Sequence, residues 1–162
     1  DGILGTATSL AEMSALALDA YLDERVNQLA RQVTISCPRH DTQAEAAAVL
    51  DWFQRTFRYT SLPHHPAGLQ RLQTPSYTLF DAPTKTGECA SLCTAMAAML
   101  MSLGHQVAWR TGGTNPADSE DFEHVWCVSV IDGNAVDMDP SYEGGLGWRH
   151  PAAAVMRDWP IE

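Results

Sequence analysis

The sequence predicts one α+β domain: helices first, then an apolar helix that opens on a cysteine, then antiparallel strands. Three stretches carry this reading. Gly87 to Gly104 (GECASLCTAMAAMLMSLG) begins as a turn and then repeats Leu92, Met96, Met99 or Leu100, and Leu103 every three or four positions. Thr42 to Phe57 places Val49, Phe53 and Phe57 on one helical face. Glu123 to Ile131 alternates side to side as a strand and runs into Asp132-Gly133, a two-residue hairpin signal.

The chain of 162 residues, 45% hydrophobic and 19% charged, suffices for one domain with a real core. The expected division is a single domain over 1–162, with N-terminal helices at about 6–57, a core at about 59–142, and a C-terminal loop and short helix over 143–162. A chain that opens on Asp1 rather than methionine is expected to be a processed or excised segment. No signal segment and no apolar run of membrane-spanning length is present, so no membrane partner is expected, and the cytoplasm is the expected location. A formal charge of −10 works against a phosphate-binding surface and so against nucleic acid. The four cysteines, Cys37, Cys89, Cys93 and Cys127, are too few and too irregular for a disulfide framework, and they lack the paired short spacings of a zinc site. A reducing compartment, no metal and no cofactor are the expectations. Oligomeric state is left open.

In chain order, Thr6 to Ser36 reads as one long amphipathic helix. Ser9 and Glu12 form a capping-box pattern, Leu22, Val26, Leu29 and Val33 keep a helical stripe, and Pro38 ends it. Thr42 with Glu45 gives a second capping box. Pro63-His64-His65-Pro66 reads as a surface loop rather than a metal site, because prolines flank the histidines and no carboxylates lie nearby. Gln70 to Thr86 is irregular. Gln106 to Arg110 reads as a strand, and Gly112 to Asp121 as a polar, acidic loop near the site entrance. Asn134 to Asp139 returns as the hairpin partner, and a glycine-rich loop (Glu143 to Gly147) leads to a short Ala-rich segment ending near Trp159-Pro160.

Cys89 falls in the first turn of the apolar helix. There the helix dipole and free N–H groups stabilise a thiolate, and the same N–H groups could hold an oxyanion. A tight Asp132-Gly133 turn would pair Ile131 with Asn134 and Trp126 with Asp139. His124, two before Trp126, then shares a face with Asp139 as its diagonal neighbour, within reach of a carboxylate–imidazole hydrogen bond. A three-residue loop would shift the register by one and separate them. Asp137 has the same parity and is the rival, opposite Val128. Together, Cys89, His124 and Asp139 are candidate nucleophile, base and orienting carboxylate. Cys93, one turn on, is expected to be a small core residue, and Cys127 to lie on the strand face away from His124.

Gly87-Glu88-Cys89, Leu103-Gly104-His105, His124-Val125-Trp126 and Val136-Asp137-Met138-Asp139-Pro140-Ser141 resemble the transglutaminase-like domain of the papain-like cysteine protease superfamily, in its small bacterial and phage-encoded members. The resemblance covers roughly Tyr59 to Tyr142. It implies a nucleophile helix packed on an antiparallel sheet, with Cys89 as nucleophile, His124 as general base and acid, and Asp139 as its orienting residue. It also implies attack of a thiolate on an amide carbonyl to give a thioester. Hydrolysis of a peptide or isopeptide bond in a peptide or protein substrate is the first expectation. Acyl transfer to an amine and a non-catalytic interaction domain are the alternatives. Pro83 stands where a papain-type oxyanion glutamine would be. Tyr77 and Trp126 are the candidates for contacts to substrate or oxyanion.

Overall fold

The computed structural model describes residues 3–60, 72–118, 120 and 122–162. The Pro63-His64-His65-Pro66 expectation lies outside them. The first helical segment is two helices, not one: α1 (Ile3–Ala20) and α2 (Glu24–Val33). The break falls at Asp23, whose carboxylate accepts the Arg25 N–H at 2.8 Å and caps α2. A short acid that bonds its own neighbourhood favours a cap over a helix interior. Leu22, assigned to a continuous stripe, is therefore 73% exposed, while Val26 is fully buried. The Ser9–Glu12 pair lies inside α1 and starts nothing.

The third helix, α3 (Thr42–Thr56), is capped by Asp41 rather than Thr42, through a 2.8 Å bond from the Ala44 N–H. Glu45, freed from a capping box, reaches His105 Nε2 at 3.3 Å instead. Trp52, Phe53 and Phe57 form a cluster of ring contacts at its C-terminal end. Directly after it, β1 (Arg58–Tyr59) pairs in parallel with β2 (Thr86–Gly87), setting Tyr59 beside Gly87. The segment read as irregular contains a π-helical turn, Tyr77–Asp81.

Helix α4 (Cys89–Ser102) is buried continuously from Cys89 to Leu100. A helix apolar on every side belongs inside a domain. The helices α1, α2 and α3 pack around it, and strand β4 (His124–Ile131) packs against it from the sheet. The polar groups such a burial would strand are paired: Thr94 Oγ1 donates to the Ala90 carbonyl at 2.7 Å, and Ser91 Oγ accepts the Gln73 N–H at 3.0 Å.

The sheet has the order β5 (Asn134–Met138), β4 (His124–Ile131), β3 (Val107–Gly113), β6 (Val155–Pro160), antiparallel throughout. The expected polar loop at Gly112 starts two residues later, because Gly112 and Gly113 extend β3. The expected short helix in 143–162 is instead the edge strand β6, laddered to β3 from Ala108–Pro160 to Gly113–Val155. Trp159 gains a cross-strand place there, facing Trp109 and donating its indole N–H to Thr111 Oγ1 at 2.9 Å. That pairing outweighs the helix propensity of the preceding alanines. The β4–β5 turn has φ of 50° at Asp132 and 78° at Gly133, the left-handed pair of a two-residue hairpin. Its register is the expected one, with Ile131 facing Asn134 and Cys127 facing Met138.

Candidate active site

Two chain positions deliver the cysteine. The β1–β2 pairing fixes Gly87, and the Thr60 N–H donates to the Gly87 carbonyl at 3.0 Å. Cys89 follows at once as the first residue of α4, 8% exposed, where backbone N–H groups have no helical acceptor. A Cβ at Gly87 would sit 2.9 Å from Cδ2 of the fully buried Leu92, so a larger residue there would have to displace that side chain.

His124 is the first residue of β4, and Asp139 follows the last residue of β5. The tight hairpin brings them together: His124 Nε2 lies 2.7 Å from Asp139 Oδ2. Cys89 lies near enough to the same ring to raise its proton affinity. Burial alone would lower the imidazole pKa. The bonds to Asp139 and Cys89 and their negative charge outweigh it and raise the pKa from 6.5 to about 9. An imidazole so placed stays protonated through neutral pH.

The carboxylate is itself held. Asp139 Oδ1 accepts the Ser141 N–H at 2.9 Å. Gln54 Nε2, on α3, lies within 3.0 Å of the Asp139 carbonyl, 2.6 Å of that of Tyr142 and 2.7 Å of that of Gly144. Gln54 thus ties the whole turn after β5 to the helical layer. Nothing in its sequence neighbourhood marks it, because its partners are backbone groups some 85 to 90 residues away.

Trp126 is buried under His124, with ring centroids 5.5 Å apart and planes at 25°. Its indole N–H donates to Asp137 Oδ1 at 2.6 Å. That N–H is engaged within the protein, while the Trp126 ring both underlies the imidazole and lines the cleft beside it. Asp137, the rival carboxylate, also receives Arg110 Nη1 at 2.7 Å and Arg149 Nη2 at 2.6 Å. Its burial raises its pKa, but the bonds from Trp126, Arg149 and Arg110 win and hold it below the usual value. Its hydrogen-bond partners are Trp126, Arg110 and Arg149, and the His124 ring bonds to Asp139 instead.

Tyr77 lies in the π-helical turn, 42% exposed. It does not line the cleft, and among the described residues no hydrogen bond or ring contact joins it to Cys89, His124 or Asp139. A different tyrosine, Tyr59, does reach the cleft. It lines the cleft beside His124, with Tyr142 stacked on it at 6.4 Å. Burial raises its hydroxyl pKa first, and the charge of Cys89 second. The signal for it was present: Phe57-Arg58-Tyr59 alternates directly after a helix, and the third residue of that alternation reaches the cleft.

Cys93 is fully buried, and its thiol donates to the Val125 carbonyl at 3.3 Å. Burial pushes its pKa well up, aided by its bond with Cys127. Cys127 donates in turn to the Cys93 carbonyl at 3.4 Å. These thiols stitch α4 to β4. Cys37, half-buried before Pro38, has its pKa raised by burial and then by Glu45 and Asp41. Among the described residues, no three His, Cys, Asp or Glu side chains gather as a metal site. Among the same residues, no helix is long and apolar enough to cross a membrane.

A cysteine at a helix N-terminus, joined through histidine to an aspartate at the end of the next hairpin strand, is a constellation that can carry acyl transfer. The family model of the transglutaminase-like superfamily matches residues 27–140, well over half the chain. The chain belongs to the transglutaminase-like superfamily. Two solved structures share the transglutaminase-like fold at low sequence identity. One is described as a "Putative Cysteine Protease" from Cytophaga hutchinsonii; it is 17% identical, with a TM-score of 0.55 over 85% of this chain and 46% of that one. The other is described as a "Putative Protease" from Parabacteroides distasonis; it is 14% identical, with a TM-score of 0.57 over 82% of this chain and 26% of that one. This transglutaminase-like chain thus spans less than half the length of either neighbour. No curated protein matches it. The family match also reaches upstream of the expected core, to Asn27 on α2.

Proposed function

We propose that the protein cleaves a peptide or isopeptide bond through a Cys89–His124–Asp139 triad and a thioester intermediate. The observation that carries this reading is the single imidazole shared by Asp139, at 2.7 Å, and Cys89 at the start of α4. In the proposed cycle the Cys89 thiolate attacks the amide carbonyl carbon. The carbonyl oxygen gathers negative charge near the first N–H groups of α4 and the Tyr59 hydroxyl. The protonated His124 gives its proton to the departing amine as the C–N bond breaks, leaving a Cys89 thioester. Neutral His124 then takes a proton from water, hydroxide adds to the thioester, and the thiolate leaves with the acid released. Asp139 keeps the ring in the tautomer that faces Cys89 and stabilises the imidazolium without itself taking the proton.

The test is alkylation with iodoacetamide, read by mass spectrometry at each cysteine, beside a screen of fluorogenic peptide amides. The reading expects Cys89 to react fastest, His124→Ala to slow it, and Cys89→Ala to abolish both labelling at that site and amide cleavage. An ordinary rate at Cys89, unmoved by loss of His124, overturns it in favour of an interaction domain. If an added amine captures the acyl group in preference to water, the same triad serves transfer instead.

A further inference from the structure

Beside His124 lies a cavity of about 160 Å³, lined by Tyr59, Tyr142, His150, Gly112 and Glu123 among others. Such a volume takes one side chain rather than a whole ligand. We infer that it is a specificity subsite for a positively charged group, a primary ammonium or a guanidinium, on the substrate. The inference rests on the reading of this cleft as the active site and adds to it a substrate class.

Three independent features agree. The first is Glu123, a carboxylate locked at the rim: its Oε2 accepts the Thr114 N–H at 3.1 Å and the Thr114 hydroxyl at 2.6 Å. Those bonds hold its pKa below the usual value, so it stays ionised. The second is the wall. Tyr59, Tyr142 and His150 form a chain of rings, with Tyr59 and Tyr142 stacked at 6.4 Å and His150 tilted against Tyr142 at 5.1 Å. Aromatic rings beside one carboxylate favour a cation over an anion. The floor is Gly112 and Gly113, which put no side chain into the space. The third is the field. Burial first, and then the negative charges of Cys89 and Asp139, raise the pKa of both Tyr59 and Tyr142. In the reactive state two negative charges flank one imidazolium, so the triad leaves a net negative charge facing the cavity. The protein as a whole, at −10, would steer a cation toward it.

Two probes read this without knowing the substrate. The first is Cys89 modified by cationic and anionic methanethiosulfonates of equal size. The thiolate attacks the sulfenyl sulfur, the S–S bond of the reagent breaks, a mixed disulfide forms and methanesulfinate leaves. The cation-to-anion rate ratio, divided by the same ratio for a free small-molecule thiol, is expected to be about fivefold or more. Glu123→Gln should lower it about threefold, the size a single charge exerts at the cavity's scale in a partly aqueous medium. Glu24→Gln, an equal change of net charge on the distant helix α2, should leave it unchanged. The second probe does not use the thiol: ring-proton shifts of His124 and His150 titrated with butylammonium and with butyrate. Saturable shifts with butylammonium alone, weakened in Glu123→Gln, support the subsite. Equal response to both ions, preference for butyrate, or no response overturns it. A Cys89 that reacts with neither methanethiosulfonate would sink the nucleophile reading alone, because the titration decides the subsite separately.

Discussion

Asp137 Oδ1 accepts the indole N–H of Trp126 at 2.6 Å, and through that bond a carboxylate outside the proposed triad fixes the surface on which the His124 ring rests. The same carboxylate joins β5 to Arg110 on β3 and to Arg149 in the C-terminal loop. Arg110 continues to Asp158 on β6, so one network crosses all four strands of the sheet.

Removing its hub should be costly. Asp137→Ala leaves the buried Trp126 N–H without its acceptor and strips Arg110 of one of its two carboxylates, Asp158 remaining, a loss of about 1–3 kcal/mol in unfolding free energy. Asp137→Asn keeps one oxygen acceptor and should lose less. Urea titration compares the two. The native Asp137 carboxyl lies below its unfolded value of 3.8, so its contribution is fully present above that value and is lost as the pH falls below it. Asp137→Asn should flatten that acid limb.

His124 gives the opposite sign. Its folded pKa, about 9, stands above the unfolded 6.5. Below pH 6.5 its charged pairing contributes in full. As pH rises toward 9 the unfolded chain sheds the proton while the folded one keeps it, and stability falls, by about 3 kcal/mol across the window. Thermal melts from pH 6 to 9.5 should show the fall in the native protein and a flatter profile in His124→Ala. An equal slope in both would remove the imidazolium from the account.

These features differ in how far the sequence foretells them. The His124–Asp139 pair was legible because β-hairpin parity is strict: one two-residue turn fixes every facing pair, and the signal Asp132-Gly133 is local. Helix α4 was legible for a similar reason, since its apolar run and its Gly104 stop are both local. What local pattern could not settle was competition. Asp23 capping split the first helix, and β3 captured residues 155–160 as an edge strand, because the winning partner lay elsewhere in the chain. The same holds for Gln54, whose backbone partners lie on the far turn, and for Tyr59, brought to the cleft by a parallel pairing only two residues long.

Asp139→Asn isolates orientation from structure. The amide can still accept the Ser141 N–H, but it no longer stabilises an imidazolium. Amide cleavage should fall by about 10²–10⁴-fold, with kcat moving far more than KM and the melting profile at neutral pH lower by only a few degrees. A loss confined to KM would place Asp139 in substrate binding instead.

The two helix cysteines should separate cleanly. Cys93→Ala removes a thiol that is fully buried and bonded to the Val125 carbonyl, so it should cost about 1 kcal/mol and leave the iodoacetamide-reactive site in place. Cys89→Ala should do the reverse, removing the reactive site with little change in stability. If the fast-labelling peak vanished with Cys93, the nucleophile would move one helical turn into the core.

Gly112 tests whether the support under the imidazole matters. A Cβ there would lie 2.7 Å from Trp126 Cη2 and 2.8 Å from Cζ3, and Trp126 is buried and anchored by Asp137, so it has little freedom to withdraw. Gly112 also faces His124 directly across the β3–β4 ladder. Gly112→Ala should therefore cost about 1–3 kcal/mol from overpacking and tilt the ring stacked on His124. Alkylation at Cys89 should slow, and the pH at which its rate levels should shift with the displaced imidazole. Gly113→Ala, one residue on, is the control for glycine loss in the same strand. If both variants lost stability equally and neither changed the labelling rate, Trp126 would be ordinary core and its contact with His124 without consequence.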